Sequence, residues 1–306
     1  MGTILVDWLQ AALRYAAPLL LVAVGEVFAE RSGVINMGVE GIMLVGALAG
    51  VVGSYYLKSL WLAVLITILV GAVMGVIVSY LTVSRRTNQV VTGLMINMLC
   101  LGATDMLFSM MSETRTNRCD TFPIIFPDFL QNIPVIGKIF FCQPISTWVA
   151  FILPIIAAYL MYKTRWGLNV RAVGDNPKAA ATAGLDVIKI KYQTVILSGI
   201  FAALGGCALT LAEVGYFSAG GMANGRGFIV MAACVVGGWD PIRTALVCLA
   251  FGAADAAQIR IQTLSSFPYQ FLQMFPYVVT VVALAVMVKR SRVPKTWGAA
   301  YDPKDV

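Results

Sequence analysis

Four carboxylates lie within stretches that are otherwise apolar: Glu26 near the end of one, and Glu40, Asp105 and Asp255 well inside others. An acid in such a setting is costly and tends to face a bundle interior or a watery path, where it can relay protons or accept hydrogen bonds from broken backbone. Glu40 stands between Gly38 and Gly41, where a helix restarts, so the free N–H groups of that restart are within its reach. Asn97 is either glue between helices or a path-lining residue. What the chain lacks narrows the chemistry further. It has no histidine, which removes His-based acid–base catalysis, Ser/His/Asp triads and HExxH zinc sites. Its six cysteines form no CxxC pair, so neither a zinc ribbon nor a thioredoxin-like site is offered. No enzyme and no metal centre is expected.

The elements that must position these groups follow from composition. Of 306 residues, 59% are hydrophobic and 12% charged, and the mean hydropathy is +0.82, whereas soluble domains carry about 25% charged residues. The exterior must face lipid. Apolar stretches at 9–29, 34–57, 60–82, 89–111, 145–162, 192–212 and 271–289 can each span a bilayer as a helix. Between them, 227–237 and 242–258 flank Gly237-Gly-Trp-Asp-Pro241, and the first piece is short for a full crossing. The expected fold is all-α: one transmembrane domain over 1–306, a bundle of about 8–9 spans with an inverted repeat and broken helices. Glu30 and Arg31 follow the first apolar stretch, so it does not read as a cleavable signal peptide.

The net charge of +7 is not gathered into one basic patch, which argues against nucleic acid and for anionic membrane lipid as its partner. Lys163, Arg165, Arg171, Lys178, Lys189 and Lys191 place the loop 163–191 in the cytoplasm, and Lys289, Arg290, Arg292, Lys295 and Lys304 place the C-terminus there. The N-terminus is then external. The segment 112–145 becomes an external loop in which Arg115, Arg118 and Lys138 balance Glu113, Asp120 and Asp128. It holds Cys119 and Cys142, which read equally as a disulfide or as two free thiols.

Two Gly-rich stretches resemble each other: Asn36-Met-Gly-Val-Glu-Gly41 and Asn224-Gly-Arg-Gly227, each after an apolar helix ending in Glu30 or Glu213. By the charge pattern they lie towards opposite faces, as in inverted-repeat transporters, whose interrupted segments line the substrate path. The plainer reading is close helix packing, as for Gly46xxxGly50 and Gly71xxxGly75. Asn36, Glu40, Asn97, Asn224 and Phe228 are the path candidates, and Tyr216, Phe217, Phe228 and Trp239 could stack on a base or anchor helices at the interface. In the loop, Asn176 suits an N-cap, Pro177 the first helical position, and Gly184 a left-handed C-cap, giving a helix of about two turns. So short a helix needs a surface to dock on.

Glu30-Arg-Ser-Gly-Val-Ile-Asn-Met-Gly-Val-Glu-Gly41, Arg171-Ala-Val-Gly-Asp-Asn-Pro-Lys-Ala-Ala-Ala-Thr-Ala-Gly184 and Gly227-Phe-Ile resemble the permease subunits of bacterial ABC importers for simple sugars, nucleosides and branched-chain amino acids, the nucleoside type most closely. The resemblance runs from about residue 25 to 290. It implies that Asn176, Pro177, Lys178, Ala180, Ala183 and Gly184 belong to a coupling helix that docks on a separate ATPase. No GxxxxGK[ST] phosphate loop exists in the chain; ATP and magnesium would be bound by that partner, and no cofactor by this chain. The resemblance also implies a second, non-identical permease, an external substrate-binding lipoprotein, and a place in the bacterial inner membrane. Rival readings are a proton- or ion-coupled carrier using the buried acids, a channel, and an ABC permease for sugars or riboflavin.

Overall fold

The computed structural model describes residues 2–111, 119–124, 126, 131, 135, 137–264, 271, 274–287 and 293–302. Glu113, Arg115, Arg118 and Asp128 of the external loop, and Lys289, Arg290, Arg292 and Lys304 of the tail, lie outside the described residues. Most of the described residues are helical, and none of them form a strand beyond the single bridge between Ile124 and Pro144. The helices are α1 (Gly2–Arg31), α2 (Val39–Leu57), α3 (Leu60–Ser79), α4 (Gln89–Met110), α5 (Ile145–Lys163), α6 (Arg165–Asp175), α7 (Pro177–Thr182), α8 (Val187–Ala208), α9 (Arg226–Val236), α10 (Pro241–Leu264) and α11 (Phe275–Met287). Wider π turns prolong α3 over Tyr80–Ser84 and α8 over Leu209–Val214.

Seven of these helices are long and apolar enough to cross a membrane. The short piece expected over 227–237 is α9, whose 11 residues extend only about 16 Å, half of a roughly 30 Å hydrocarbon core. Of the expected span 271–289, α11 is described over 13 residues, and 272, 273, 288 and 289 lie outside the described residues. The helix before α9 starts earlier than expected, at Val187 rather than 192, because Asp186 caps it by accepting from the Lys189 N–H at 2.9 Å. Lys191, assigned to the loop from its charge, is consequently buried within α8.

α1, α2 and α8 form the buried centre of the bundle. Small residues let their backbones touch. A Cβ on Gly46 of α2 would run into the Ala203 carbonyl of α8, and one on Gly71 of α3 would sit 2.7 Å from the Gly199 carbonyl. The packing reading of the GxxxG pairs therefore holds for these glycines. α3, α4 and α5 lie outside this centre and turn large apolar side chains outward, Met98 of α4 and Trp61 of α3 being more than 70% exposed. Such surface is what lipid or a partner helix covers.

Candidate functional site

The two Gly-rich stretches meet. Glu40, in the first turn of α2, accepts hydrogen bonds from the Gly225 and Gly227 N–H groups, each at 2.7 Å, and so caps the start of α9. A negative charge is well placed there, because the unpaired amides at a helix start carry partial positive charge. Gly227 is required by the approach: a Cβ would lie 2.8 Å from the Glu40 nitrogen. Asn97 of α4 clasps the restart of α2 from the other side, donating to the Met37 carbonyl at 2.8 Å and accepting from the Gly41 N–H at 2.7 Å. Asn36 donates to Ser198 Oγ at 2.9 Å, and Ser198 in turn donates to Glu26. Glu30 accepts from the indoles of Trp239 and Trp297 at 2.5 and 3.2 Å. Asn36, Glu40 and Asn97 are thus engaged in holding the broken backbone.

A second polar cluster lies towards the far end of α8. Arg226, at the start of α9, donates to Glu213 at 3.2 Å and stands 3.9 Å from Asp255 of α10. Two cavities of about 300 and 360 Å³ adjoin it. Asp255, Gln258, Gln262 and Tyr277 line one, and Tyr15, Glu213, Tyr216 and Ser218 line the other. Asn224, Arg226 and Ile259 line both. Asn224 is therefore a cavity residue, and its φ of 49° is the left-handed conformation that Asn tolerates better than most.

Phe228 lines neither cavity and is 42% exposed. Trp239 and Phe217 are core residues, the first bonded to Glu30 and the second packed edge-on to Phe108 at 5.0 Å. Of the four aromatics near the second repeat, Tyr216 alone reaches a cavity. Asp105 accepts from the Gly220 N–H at 3.0 Å, tying α4 to the irregular segment before α9. Arg226 was missed as a site residue. Its signal is a cation immediately before the apolar piece 227–237, in a chain that places acids in other apolar stretches.

The loop helix forms as its caps dictate. Asn176 Oδ1 accepts from the Ala179 N–H at 3.1 Å, Pro177 opens α7, and Gly184 turns out of it at φ 84°. Its faces differ from expectation in one respect. Pro177 and Ala180 are buried against the bundle, whereas Lys178, Ala179, Thr182, Ala183 and Gly184 are exposed. Ala180 is thus an anchor to its own chain, since the six-residue helix must rest one side on something.

The disulfide is not formed. Cys119 and Cys142 are both free thiols, the former donating to the Gly215 carbonyl at 3.1 Å and the latter facing Gln131 Oε1 at 3.8 Å. Burial pushes the Cys119 thiol above its ordinary value. Among the described residues, no group of three or more His, Cys, Asp or Glu could hold a metal ion.

Residues 9–289 match the family of branched-chain amino acid transport system permease components. The chain belongs to this family. The permease is 36% identical over 300 residues to a nucleoside ABC transporter permease protein, NupC, of Lactococcus lactis, with 94% of each chain covered. It is 37% identical over 305 residues to the guanosine ABC transporter permease protein NupQ of Bacillus subtilis, with 95% of each covered. A glucose ABC transporter permease of Haloferax volcanii is 26% identical over 303 residues, 94% of this chain and 78% of that one. The fold of this chain resembles that of a putative metal-chelate type ABC transporter solved in an inward-facing conformation, with a TM-score of 0.50 at 15% identity, over 92% of this chain and 85% of that one. The permease is accordingly a multi-pass inner-membrane protein that works with an ATPase and another permease subunit, and it is not an enzyme.

Proposed function

We propose that this permease forms half of the membrane path of an ABC importer for nucleosides. The observation that carries the reading is the near full-length likeness to NupC and NupQ. α7 is the coupling element. Its exposed small face, Ala179 and Ala183, enters a groove of the ATPase, while Pro177 and Ala180 hold it to the bundle. ATP and magnesium are bound by that ATPase, and an external lipoprotein delivers the nucleoside. The loop carrying α6 and α7 and the C-terminal tail face the cytoplasm, and the N-terminus faces out, as the Lys and Arg asymmetry directs.

The acids that a proton-coupled carrier would need are otherwise occupied: Glu40 by two amides, Asp105 by one, Asp255 beside Arg226. A sugar is the second reading, favoured by the Haloferax volcanii relative. Cells lacking their own nucleoside uptake, given the complete transporter, should accumulate labelled guanosine and lose this on removal of the ATPase. Accumulation of glucose with none of guanosine overturns the substrate, and ATP turnover by the pure chain alone overturns the division of labour.

A further inference from the structure

Glu213 combines two properties that a purely structural acid would not share. Its side chain is only 5% exposed, yet it borders the larger polar cavity. One oxygen, Oε2, accepts from Arg226, while the other, Oε1, is buried and has no hydrogen-bond partner in the protein. A buried carboxylate oxygen without a donor is expensive, costing on the order of 1–3 kcal/mol or more, and such vacancies call for an explanation. The cavity that Glu213 borders supplies room for a donor from outside the protein, which a turn of the carboxylate about its last bond would bring to Oε1.

The surroundings specify what that donor is. The Arg226 guanidinium is already shared between Glu213 and Asp255, so the lining holds two carboxylates against one cation, and Arg14, close to Glu213 but outside the lining, donates to the Cys142 carbonyl at 3.3 Å; the pocket disfavours an anion. The amides of Asn224, Gln258 and Gln262 and the Tyr15 hydroxyl line the two cavities and can donate as well as accept, whereas the Tyr277 hydroxyl, which donates to the Asn224 carbonyl at 2.6 Å, has only acceptor capacity left. A neutral molecule carrying several hydroxyls fits this set: it donates to the open carboxylate oxygen and accepts from the amides. Phosphorylated relatives of such a molecule are repelled.

We propose that the cavities joined at Arg226 form a subsite for the sugar hydroxyls of the transported molecule, with Glu213 Oε1 accepting from one of them. This rests on the nucleoside reading above, where the hydroxyls are those of ribose. A site built to receive a hydroxyl rejects the analogue that lacks it, because its own polar group is then stranded. The subsite thus selects ribonucleosides over deoxygenated ones inside the membrane, independently of the lipoprotein that delivers them.

The test compares uptake of guanosine with uptake of dideoxyguanosine, which lacks both secondary ribose hydroxyls, by the complete transporter carrying the wild-type chain or Glu213→Gln. Selection by the lipoprotein is the same in both and cancels from the ratio of ratios. The guanosine to dideoxyguanosine ratio should fall by about 10- to 100-fold in the variant, the scale of a hydrogen bond to a charged group. Gln258→Ala, which leaves the ion pairs alone, should lower the same ratio by a smaller factor and serves if Glu213→Gln does not co-purify with its partners. Unchanged ratios in the variants that assemble overturn the subsite. Guanosine uptake by the wild type together with unchanged ratios leaves the nucleoside reading intact, whereas no guanosine uptake by the wild type overturns both.

Discussion

Thr296 holds Gly174 by two bonds to a single oxygen: its N–H at 3.2 Å and its Oγ1 at 2.7 Å both donate to the Gly174 carbonyl. Gly174 lies three residues before Pro177, the start of α7, and a Cβ there would penetrate the Arg31 carbonyl at the end of α1. The segment around Thr296 and α1 therefore clamp the root of the loop that carries α7 from two sides. Thr296→Val should lower the stability of the purified chain by about 1 kcal/mol, seen as a lower melting midpoint. Gly174→Ala should be far worse, because α6 must leave α1 to make room. Normal folding of Gly174→Ala would show that the clamp is loose.

The faces of α7 separate docking from folding. Ala179→Trp or Ala183→Trp adds an indole on the exposed side, so the chain should fold and co-purify with the other permease while substrate-stimulated ATP hydrolysis and uptake fall sharply. Ala180→Trp overpacks the buried side, at about 1–3 kcal/mol, and should reduce the amount of folded chain. Full stimulated hydrolysis with a Trp at 183 would remove α7 from transmission.

Glu40 and Asn224 should differ in how they fail. Glu40→Gln turns an amide donor towards the Gly225 and Gly227 N–H groups, and a lost buried partner costs about 1–3 kcal/mol. Stability and uptake should therefore drop together. Asn224→Gly keeps the left-handed backbone and deletes only a side chain facing the cavities. Uptake should drop while the melting midpoint stays near that of the wild type. Equal loss of stability in both would assign Asn224 to the framework.

Orientation is open to labelling. In a Cys142→Ser background, a cysteine at exposed Lys178 should react with a membrane-impermeant maleimide only after the cytoplasmic side is opened. One at exposed Lys58, at the end of α2, should react in intact cells. The opposite result inverts the topology.

What the sequence disclosed was local. Asn176, Pro177 and Gly184 act within four residues of their partners, so the shape of α7 could be read from spacing. The break at Gly38–Gly41 was legible for the same reason. That Glu40 spends its carboxylate on Gly225 and Gly227 was not, because the partners are backbone amides about 185 residues away and amides leave no trace in residue type. That Ala180 is the buried side of α7 was not legible either, because the three alanines in Pro-Lys-Ala-Ala-Ala-Thr have no apolar periodicity to tell one side from the other. Phe228 is the reverse case: its aromatic chemistry singles it out in the sequence, while in the structure it is half-exposed and lines neither cavity.

The Glu40 contact bears on how the two halves of the chain can move. One carboxylate is gripped by two amides of the same helix start, each at 2.7 Å, so moving α9 straight away from α2 lengthens both bonds, and pivoting about one still costs the other. Such a joint behaves as a latch. Parting α9 from α2 there costs two bonds to a carboxylate rather than one, so the two halves are held together more firmly at this point than either bond alone would hold them.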